Sequence, residues 1–313
     1  MDARKPGISP PAPDQPPKGG RMSSARMLPS PQGIMPHKMT GKRGQTGMGF
    51  SLKLAAAIAV ALTLSAQARA SDVDAARTFD VDVAIVFAVD YSSSIDPDTA
   101  DLQRNGHVAA LTSPEIVKAI SSNPRGCIGV TYFEWASPAH IKVVLPWTRI
   151  CGLADAEEAA RVISKKGDTG FSRRGRGGTS ISSAIEVGRL LLEQFPGSAD
   201  RKVIDISGNG ENNDGLPVQG SRMKAVEKGY TINAIAVPDG KDENLGRSLA
   251  SYFADNVIGG FEAFVVVPRA TGDYTTALRR KIAREIALDI DPRVLKAEAR
   301  IGWPPVITIA DAR

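Results

Sequence analysis

The chain is poor in the side chains that most often carry enzyme chemistry. Its 313 residues include two cysteines, three histidines and only 5% aromatic residues. Beyond residue 70 the histidines are His107 and His140, which lack the spacing of a metal site and leave no obvious base for a serine nucleophile. The sequence has no G-x-S-x-G elbow, no G-x-x-x-x-G-K-S/T loop and no G-x-G-x-x-G after its first predicted strand. We therefore expect that this protein is not an enzyme.

Long apolar runs are also missing, apart from one near the N-terminus. Residues 52–66 (LKLAAAIAVALTLSA) are nearly all apolar, which is too short for a comfortable membrane span. Basic residues precede or open this run, and Ala68-Arg69-Ala70 follows it. A basic start, a short apolar run and an A-x-A site predict a signal peptide over 48–70, cleaved after Ala70. The mature protein would then be periplasmic or secreted, without stable membrane insertion. An uncleaved N-terminal anchor is the alternative.

Residues 1–47 differ from the rest of the chain. They are rich in Pro, Gly, Lys and Arg and have no periodic apolar positions, so we expect a disordered extension. Because such a stretch fits poorly in front of a signal peptide, a second hypothesis is that translation begins at Met39 or Met48. Sequencing of the unprocessed precursor from its N-terminus tests this hypothesis, and a start at Met1 would contradict it.

The positive charge of the chain belongs to this N-terminal part. The formal net charge is +5, but ten of the 39 Lys and Arg residues lie within residues 1–70, where only two residues are acidic. The remainder has 29 basic and 32 acidic residues, which gives a net charge of −3. The basic pI is therefore no reason to expect nucleic-acid binding.

The two cysteines lie at mirrored positions of a predicted β-hairpin. Cys127 opens the run CIGVTYFEWA, Cys151 closes the run HIKVVLPWTRIC, and the turn between them is predicted at 137–139. The midpoint of the two cysteines falls in this turn, so an antiparallel hairpin would bring them opposite each other. We expect a disulfide, which an exported protein permits. Two separate buried thiols are the alternative.

Strand-like and helix-like segments alternate beyond residue 79. Residues 81–89 (VDVAIVFAV) are apolar on both faces, as in a buried parallel strand. This alternation predicts an α/β fold with a doubly wound, mostly parallel six-stranded sheet, one antiparallel edge strand from the hairpin, and helices on both faces. The predicted strands are 81–89, the hairpin 127–149, 202–207, 232–237 and 263–267. The predicted helices are 97–120, 154–165, 179–195, 218–228, 243–256 and 273–288.

Oxygen-bearing side chains follow the ends of these strands. Asp90-Tyr91-Ser92-Ser93-Ser94 is a D-x-S-x-S pattern just past the first strand. Gly177-Gly178-Thr179-Ser180 opens a helix, and Ser207-Gly208-Asn209-Gly210 follows the strand at 202–207. Because the carboxyl ends of parallel strands share one edge of the sheet, these segments can converge there. Carboxylate and hydroxyl oxygens are hard donors that suit Mg²⁺, Ca²⁺ or Mn²⁺.

These residues and their order resemble the von Willebrand factor A (vWA) domain and its metal-ion-dependent adhesion site (MIDAS). The resemblance covers about 79–288, which leaves 289–313 as a C-terminal tail. Within that superfamily the chain is similar to a group of exported bacterial proteins of unknown function, the DUF1194 family. The D-x-S-x-S run together with G-G-T-S-I-S-S-A-I carries the resemblance, and the hairpin after the first long helix fits the strand order of that fold.

The resemblance implies a set of metal ligands. Asp90, Ser92 and Ser94 would form the first metal loop, and Thr179 would be the ligand of the second loop. The third loop of the family normally brings an Asp ahead of a Gly, and Asn209 stands at that position here. An Asn offers a carbonyl oxygen but no charge, which should weaken cation affinity.

Three other acidic residues could compensate for Asn209. They are Asp205, Glu211 and Asp214. Asp205 falls in the middle of a predicted strand, where a buried carboxylate needs a partner.

The function implied by the resemblance is cation-dependent protein binding. The cation, Mg²⁺ with Ca²⁺ or Mn²⁺ as alternatives, would keep an open position that a carboxylate of an unidentified partner protein completes. One alternative is a metal-free interaction scaffold with a degenerate site, in which the Ser and Thr residues are plain N-caps. Another is a phosphotransferase or hydrolase that uses Asp90, although Ser92 stands where such enzymes usually have a second Asp.

Overall fold

A computed structural model describes residues 79–166, 177–238 and 249–287 and the strand at 306–308. The predicted N-terminal extension 1–47 and signal peptide 48–70 lie outside the described residues. In the described part of the chain, no helix is both long and apolar enough to cross a membrane.

The described chain forms one sheet of seven strands. The strands are β1 Val81–Asp90, β2 Ile128–Trp135, β3 Ile141–Ile150, β4 Ala199–Gly208, β5 Thr231–Ala236, β6 Phe264–Val266 and β7 Val306–Thr308. Their order in the sheet is β3-β2-β1-β4-β5-β6-β7. Neighbouring strands from β2 to β6 in this order are parallel, and β3 and β7 are antiparallel edge strands. The predicted doubly wound, mostly parallel sheet is confirmed, with the hairpin strand β3 at one edge.

The seventh strand was not predicted from the sequence. β7 comes from the C-terminal tail, and its residue Ile307 pairs with Val265 in the middle of β6. A strand of three residues is too short to show the period of two by which strands are found in a sequence. Its pairing covers part of the edge of β6, an edge that would otherwise present unpaired backbone groups.

Helices cover both faces of the sheet, because the side chains of β1 are apolar on both faces and each face must be buried. From Val83 to Val89 its side chains alternate between two apolar cores. The helices are α1 Pro97–Leu111, α2 Pro114–Ser121, α3 Leu153–Lys166, α4 Ile181–Glu193, α5 Val218–Glu227 and α6 Tyr274–Ile286. Residues of α4 and α5 belong to one core, and residues of α1, α2, α3 and α6 belong to the other. The predicted helix 243–256 is described only from residue 249, and it ends in the π-helical turn Phe253–Val257.

The helix predicted over 97–120 is in fact two helices, and this prediction was wrong. α1 ends at Leu111, and Pro114 begins α2. The residue before a proline is disfavoured in the helical region, and Ser113 is extended, with φ −71° and ψ 143°. The hydroxyl of Ser113 accepts a hydrogen bond from the backbone N–H of Ile116 at 3.3 Å and thereby caps α2. Ser-Pro here ends one helix and starts the next.

The predicted disulfide is present between Cys127 and Cys151. The turn lies at 136–140, and Ile128 pairs with Ile150 directly beside the cysteines, which is the register that the mirrored spacing predicted. The bond therefore closes the open end of the hairpin β2–β3.

Replacing both cysteines should destabilise the fold. The Cys127→Ser/Cys151→Ser variant is expected to lose about 3 kcal/mol of unfolding free energy, because a cross-link between residues 24 positions apart restricts the unfolded chain. Urea unfolding with and without reductant measures the loss. Reductant should destabilise the wild type by a similar amount and leave the double variant unchanged. A wild type that reductant does not destabilise would contradict the prediction.

Candidate functional site

The strand order places a crevice between β1 and β4. From β1 the chain crosses over to β2 on one side, whereas from β4 it crosses over to β5 on the other side. Loops that leave neighbouring strands in opposite directions open a crevice at their carboxyl ends, where ligands bind in sheets of this type. Asp90 is the last residue of β1, and Asn209 directly follows β4.

The Asp90 carboxylate is fully buried and organises the turn after β1. Its Oδ1 accepts a hydrogen bond from the backbone N–H of Ser92 at 2.7 Å. The backbone carbonyl of Asp90 accepts another from Nε2 of Gln103, a buried side chain of α1, at 3.0 Å. The side chain is therefore held in one orientation at the base of the crevice.

The other four predicted ligands join Asp90 in one chain of hydrogen bonds. Thr179 Oγ1 donates to Ser92 Oγ at 3.3 Å, and the hydroxyls of Ser92 and Ser94 lie 3.0 Å apart. Ser94 Oγ donates to Oδ1 of Asn209 at 2.9 Å, and the backbone N–H of Asn209 points to Oδ2 of Asp90 at 3.5 Å. The structure thus brings together all five residues that the resemblance named. Ser94 is exposed and Asn209 is half-buried, so the chain of donors opens to solvent at this end.

The hydroxyls of the site do not cap helices. α1 is capped by Asp96, whose Oδ1 accepts from the backbone N–H of Thr99 at 2.7 Å. α4 has Ser180 at its N-cap position, but that side chain makes no capping bond. The backbone N–H of Ser182 instead donates to Oδ1 of Asn212 at 2.9 Å, from a loop on the other side of the crevice. The plain N-cap interpretation therefore does not account for the serines and Thr179.

Asn212 and its neighbour Asn213 are site residues that the sequence analysis missed. Oδ1 of Asn213 accepts from the backbone N–H of Thr179 at 2.8 Å, and the N–H of Asn213 donates back to the Thr179 carbonyl at 3.0 Å. The available signal was the run Asn-Asn-Asp-Gly after a strand, because Asn and Asp side chains readily bond to nearby backbone in loops.

Gly178 makes this approach possible. A Cβ at this position would lie 2.5 Å from Oδ1 of Asn213, closer than atoms can pack. The group that approaches the Gly178 backbone is therefore a loop of the same chain.

The acidic residues proposed to compensate for Asn209 have separate roles in the structure. Asp205 does not reach the site: it faces α6, where it forms an ion pair of 2.5 Å with Lys281. Glu211 is exposed. Asp214 lies in the loop beside Thr179, and its Oδ1 accepts from the backbone N–H of Gly215 at 2.7 Å. Asp205 was therefore wrong as a compensating ligand, because the alternation of side chains along β4 directs it towards α6, where Lys281 is its partner.

The donors at the crevice are mostly neutral. Within the described ranges, no three or more His, Cys, Asp and Glu side chains form a group that could hold a metal ion. A cation at this edge would thus be held by the Asp90 carboxylate, three hydroxyls and the Asn209 amide oxygen. All are oxygens, which fits Mg²⁺, Ca²⁺ or Mn²⁺ and disfavours metals that require nitrogen or sulfur ligands.

The two histidines of the described residues, His107 and His140, make contacts that support the fold. His107 is buried between the rings of Phe87 and Tyr132, at centroid distances of 5.1 and 5.2 Å. Burial lowers the pKa of His107 to about 4, so its imidazole is neutral in the core at physiological pH. His140 Nδ1 lies 2.6 Å from Oγ of Ser137 within the hairpin turn.

The residues that form the crevice lie within a region shared with a known family. The family model described as "Protein of unknown function (DUF1194)" matches residues 80–290. The chain belongs to the DUF1194 family. This match confirms the predicted resemblance to that family, and it spans strands β1 to β6, the helices α1 to α6 and all five predicted ligands of this DUF1194 protein. No curated protein matches the chain.

Several solved structures are similar to this DUF1194 protein at low sequence identity. Proximal thread matrix protein 1 (PTMP1) from the mussel byssus shares 18% identity, with a TM-score of 0.45 over 65% of this chain and 47% of that chain. The pilus adhesin SpaC from Lactobacillus rhamnosus GG shares 13%, with a TM-score of 0.47 over 66% and 31%. A von Willebrand factor type A structure from Catenulispora acidiphila shares 13%, with a TM-score of 0.45 over 66% and 43%. The chain spans less than half the length of each of these proteins.

Proposed function

We propose that this DUF1194 protein is an exported vWA-like domain that binds a divalent cation at the crevice and, through it, an acidic group of a partner protein. The cation ligands are Asp90, Ser92, Ser94, Thr179 and Asn209. Mg²⁺ is the preferred ion, with Ca²⁺ or Mn²⁺ as alternatives. The partner is a protein that presents a carboxylate. Periplasmic or secreted placement agrees with the Cys127–Cys151 disulfide, because such bonds persist in oxidising compartments.

One observation carries this proposal. Three hydroxyls, from Ser92, Ser94 and Thr179, converge beside a buried carboxylate although the neighbouring helices are capped by other side chains. Oxygen donors placed in this way serve no capping role, and they lie at the switch point of the sheet. They form hydrogen bonds to one another, so a cation would replace those contacts rather than require a new arrangement of loops.

The low charge of the donor set favours binding of an acidic partner. With one carboxylate among the five ligands, a divalent cation keeps most of its positive charge. It therefore still attracts a carboxylate brought by the partner. The bound cation would supply this electrostatic attraction, and the residues of the crevice would hold it facing solvent beside Ser94.

Thermal unfolding tests cation binding directly. A cation that binds only the folded protein at about 100 times its dissociation constant adds roughly 2.7 kcal/mol, which raises the melting temperature of a domain of this size by roughly 5–10 °C. We expect this rise for purified, oxidised protein on going from EDTA to Mg²⁺, Ca²⁺ or Mn²⁺. The rise should vanish in Asp90→Ala and shrink in Ser94→Ala.

The two variants have different purposes. Asp90→Ala removes the only carboxylate of the predicted ligand set but also a buried acceptor, so it could fail to fold. Ser94→Ala changes an exposed hydroxyl and should keep the melting temperature measured in EDTA. No shift of the wild type with any cation up to millimolar concentration would favour the metal-free scaffold. Cation-dependent turnover of phosphate or ester substrates would favour the enzyme alternative.

A further inference from the structure

The loop after β4 reaches across the crevice and holds the second metal loop by its backbone. Asn213 bonds to both the N–H and the carbonyl of Thr179, at 2.8 and 3.0 Å. Asn212 accepts from the N–H of Ser182 at 2.9 Å, in the first turn of α4. These contacts join residues 34 and 30 positions apart in the chain, and they lie between the two segments that carry Thr179 and Asn209.

The Asn212 side chain and backbone are themselves fixed. Nδ2 of Asn212 donates to the carbonyl of Leu216 at 3.1 Å, and its backbone N–H donates to Oη of Tyr252 at 3.2 Å. Tyr252 immediately precedes the π-helical turn Phe253–Val257. The ring of Phe253 in that turn lies behind Gly208, where a Cβ would be 3.6 Å from Cζ of Phe253 and 3.5 Å from Oδ2 of Asp90. The loop thus contacts the segment around Tyr252, which continues into the buried side chain of Phe253.

We propose that Asn212 and Asn213 are positioning residues that set the cation affinity of the crevice, an inference that rests on the proposed function. They hold the backbone on both sides of the Thr179 hydroxyl, so that this oxygen faces Ser92 without being used as a helix cap. They also tie the Thr179 loop to the loop that carries Asn209. With only one carboxylate in the site, affinity depends strongly on having the neutral oxygens already in place.

Loss of either side-chain amide should therefore lower the cation affinity more than it lowers the stability of the fold. Partners that orient metal ligands typically change metal affinity by about 10–100-fold when they are removed. We expect the dissociation constant for Mg²⁺ or Mn²⁺, measured by calorimetry, to rise at least about tenfold in Asn213→Ala and in Asn212→Ala. Asn213→Asp keeps the acceptor oxygen for the Thr179 N–H, so it should restore both the affinity and the slow hydrogen exchange of that N–H, and the second effect does not depend on the added charge.

A matched control is available at the opposite end of the sheet. Asn123 donates from Nδ2 to the carbonyl of Ile286 at 2.8 Å, so Asn123→Ala also removes one amide-to-backbone bond. It should lower the melting temperature in EDTA without changing the cation dissociation constant. Amide hydrogen exchange at Thr179 gives an independent readout, because Asn213→Ala should accelerate exchange of that N–H in EDTA as well.

The outcomes separate this inference from the proposed function. A wild type that binds no cation overturns both. A wild type that binds, together with Asn212→Ala and Asn213→Ala variants of unchanged affinity, overturns only the positioning role. Weakened variants that Asn213→Asp does not rescue would also overturn it, because the effect would then not depend on the acceptor oxygen.

Discussion

Lys281→Met is expected to destabilise the protein by about 3–5 kcal/mol at neutral pH, the cost of removing one partner from a buried ion pair. Lys281 lies between α6 and the sheet with 1% of its surface exposed. Its Nζ is 2.5 Å from Oδ1 of Asp205 and 2.6 Å from Oε1 of Glu285, which are equally buried. Methionine has a similar length but no charge, so the substitution leaves two carboxylates side by side without a cation.

Proton uptake should relieve part of this loss. Burial raises the pKa of Glu285, and the nearby charge of Asp205 adds to the shift. Without Lys281 the Glu285 carboxyl would be driven further towards its neutral form. The destabilisation by Lys281→Met should therefore be smaller at pH 5 than at pH 7.5. Urea unfolding at the two pH values measures the difference.

An exposed lysine provides the control for this experiment. Lys118→Met makes the same chemical change on the solvent-facing side of α2 and should alter stability by no more than about 0.5 kcal/mol at either pH. If Lys281→Met were as stable as the wild type at neutral pH, the buried ion pairs would contribute no more than the apolar contacts that methionine gains. That result would contradict the prediction.

Asn209→Asp is expected to have opposite effects on the apo and cation-bound protein. Asn209 lies next to Asp90, whose Oδ2 is 3.5 Å from the Asn209 backbone N–H. Two unit charges about 4 Å apart interact by about 4 kcal/mol at an effective dielectric constant of 20, repulsively between carboxylates and attractively towards a cation. In EDTA the variant should melt below the wild type. With saturating Mg²⁺ it should melt above it, and the cation dissociation constant should fall at least about tenfold, or 1.4 kcal/mol.

The control for Asn209→Asp adds the same charge far from the crevice. Gln194→Glu places a carboxylate at the exposed C-terminal end of α4, while the cation site lies near the beginning of that helix. It should change neither the cation affinity nor the order of the two melting temperatures. An Asn209→Asp variant with unchanged cation affinity would mean that position 209 does not contact the ion. The ligand of the third loop would then have to be sought at another residue of the segment after β4.

The sequence predicted the main parts of the fold for a physical reason, and the resemblance to the vWA domain named the five site residues. Asp90, Ser92 and Ser94 are contiguous, and they follow a strand whose apolar residues on both faces mark it as central. Parallel strands end at one edge, so the end of that strand and the loop with Asn209 had to lie at the same edge if both strands were in the sheet. The disulfide was predictable in the same way, because hairpin symmetry alone pairs Cys127 with Cys151.

Short or distant features were not predictable. The three residues of β7 are too few to show a period, and the break at Ser113-Pro114 lies inside an otherwise helical spacing of apolar positions. The partner that a buried Asp205 needs could not be named from the sequence, because Lys281 is on a helix much later in the chain. The ion pair could be assigned only once α6 had been placed against β4.

The sequence by itself therefore determined which oxygen donors this DUF1194 protein brings to the edge of its sheet. Local chain geometry is enough for that, since each loop starts at a strand or helix end visible in the apolar pattern and parallel strands end at one edge. Only the tertiary structure decided that the hydroxyls of the site do not cap helices and that Asn212 and Asn213 hold the Thr179 loop. Those contacts join segments 30 and 34 residues apart, and such hydrogen bonds form only after packing has fixed the distance between the loops.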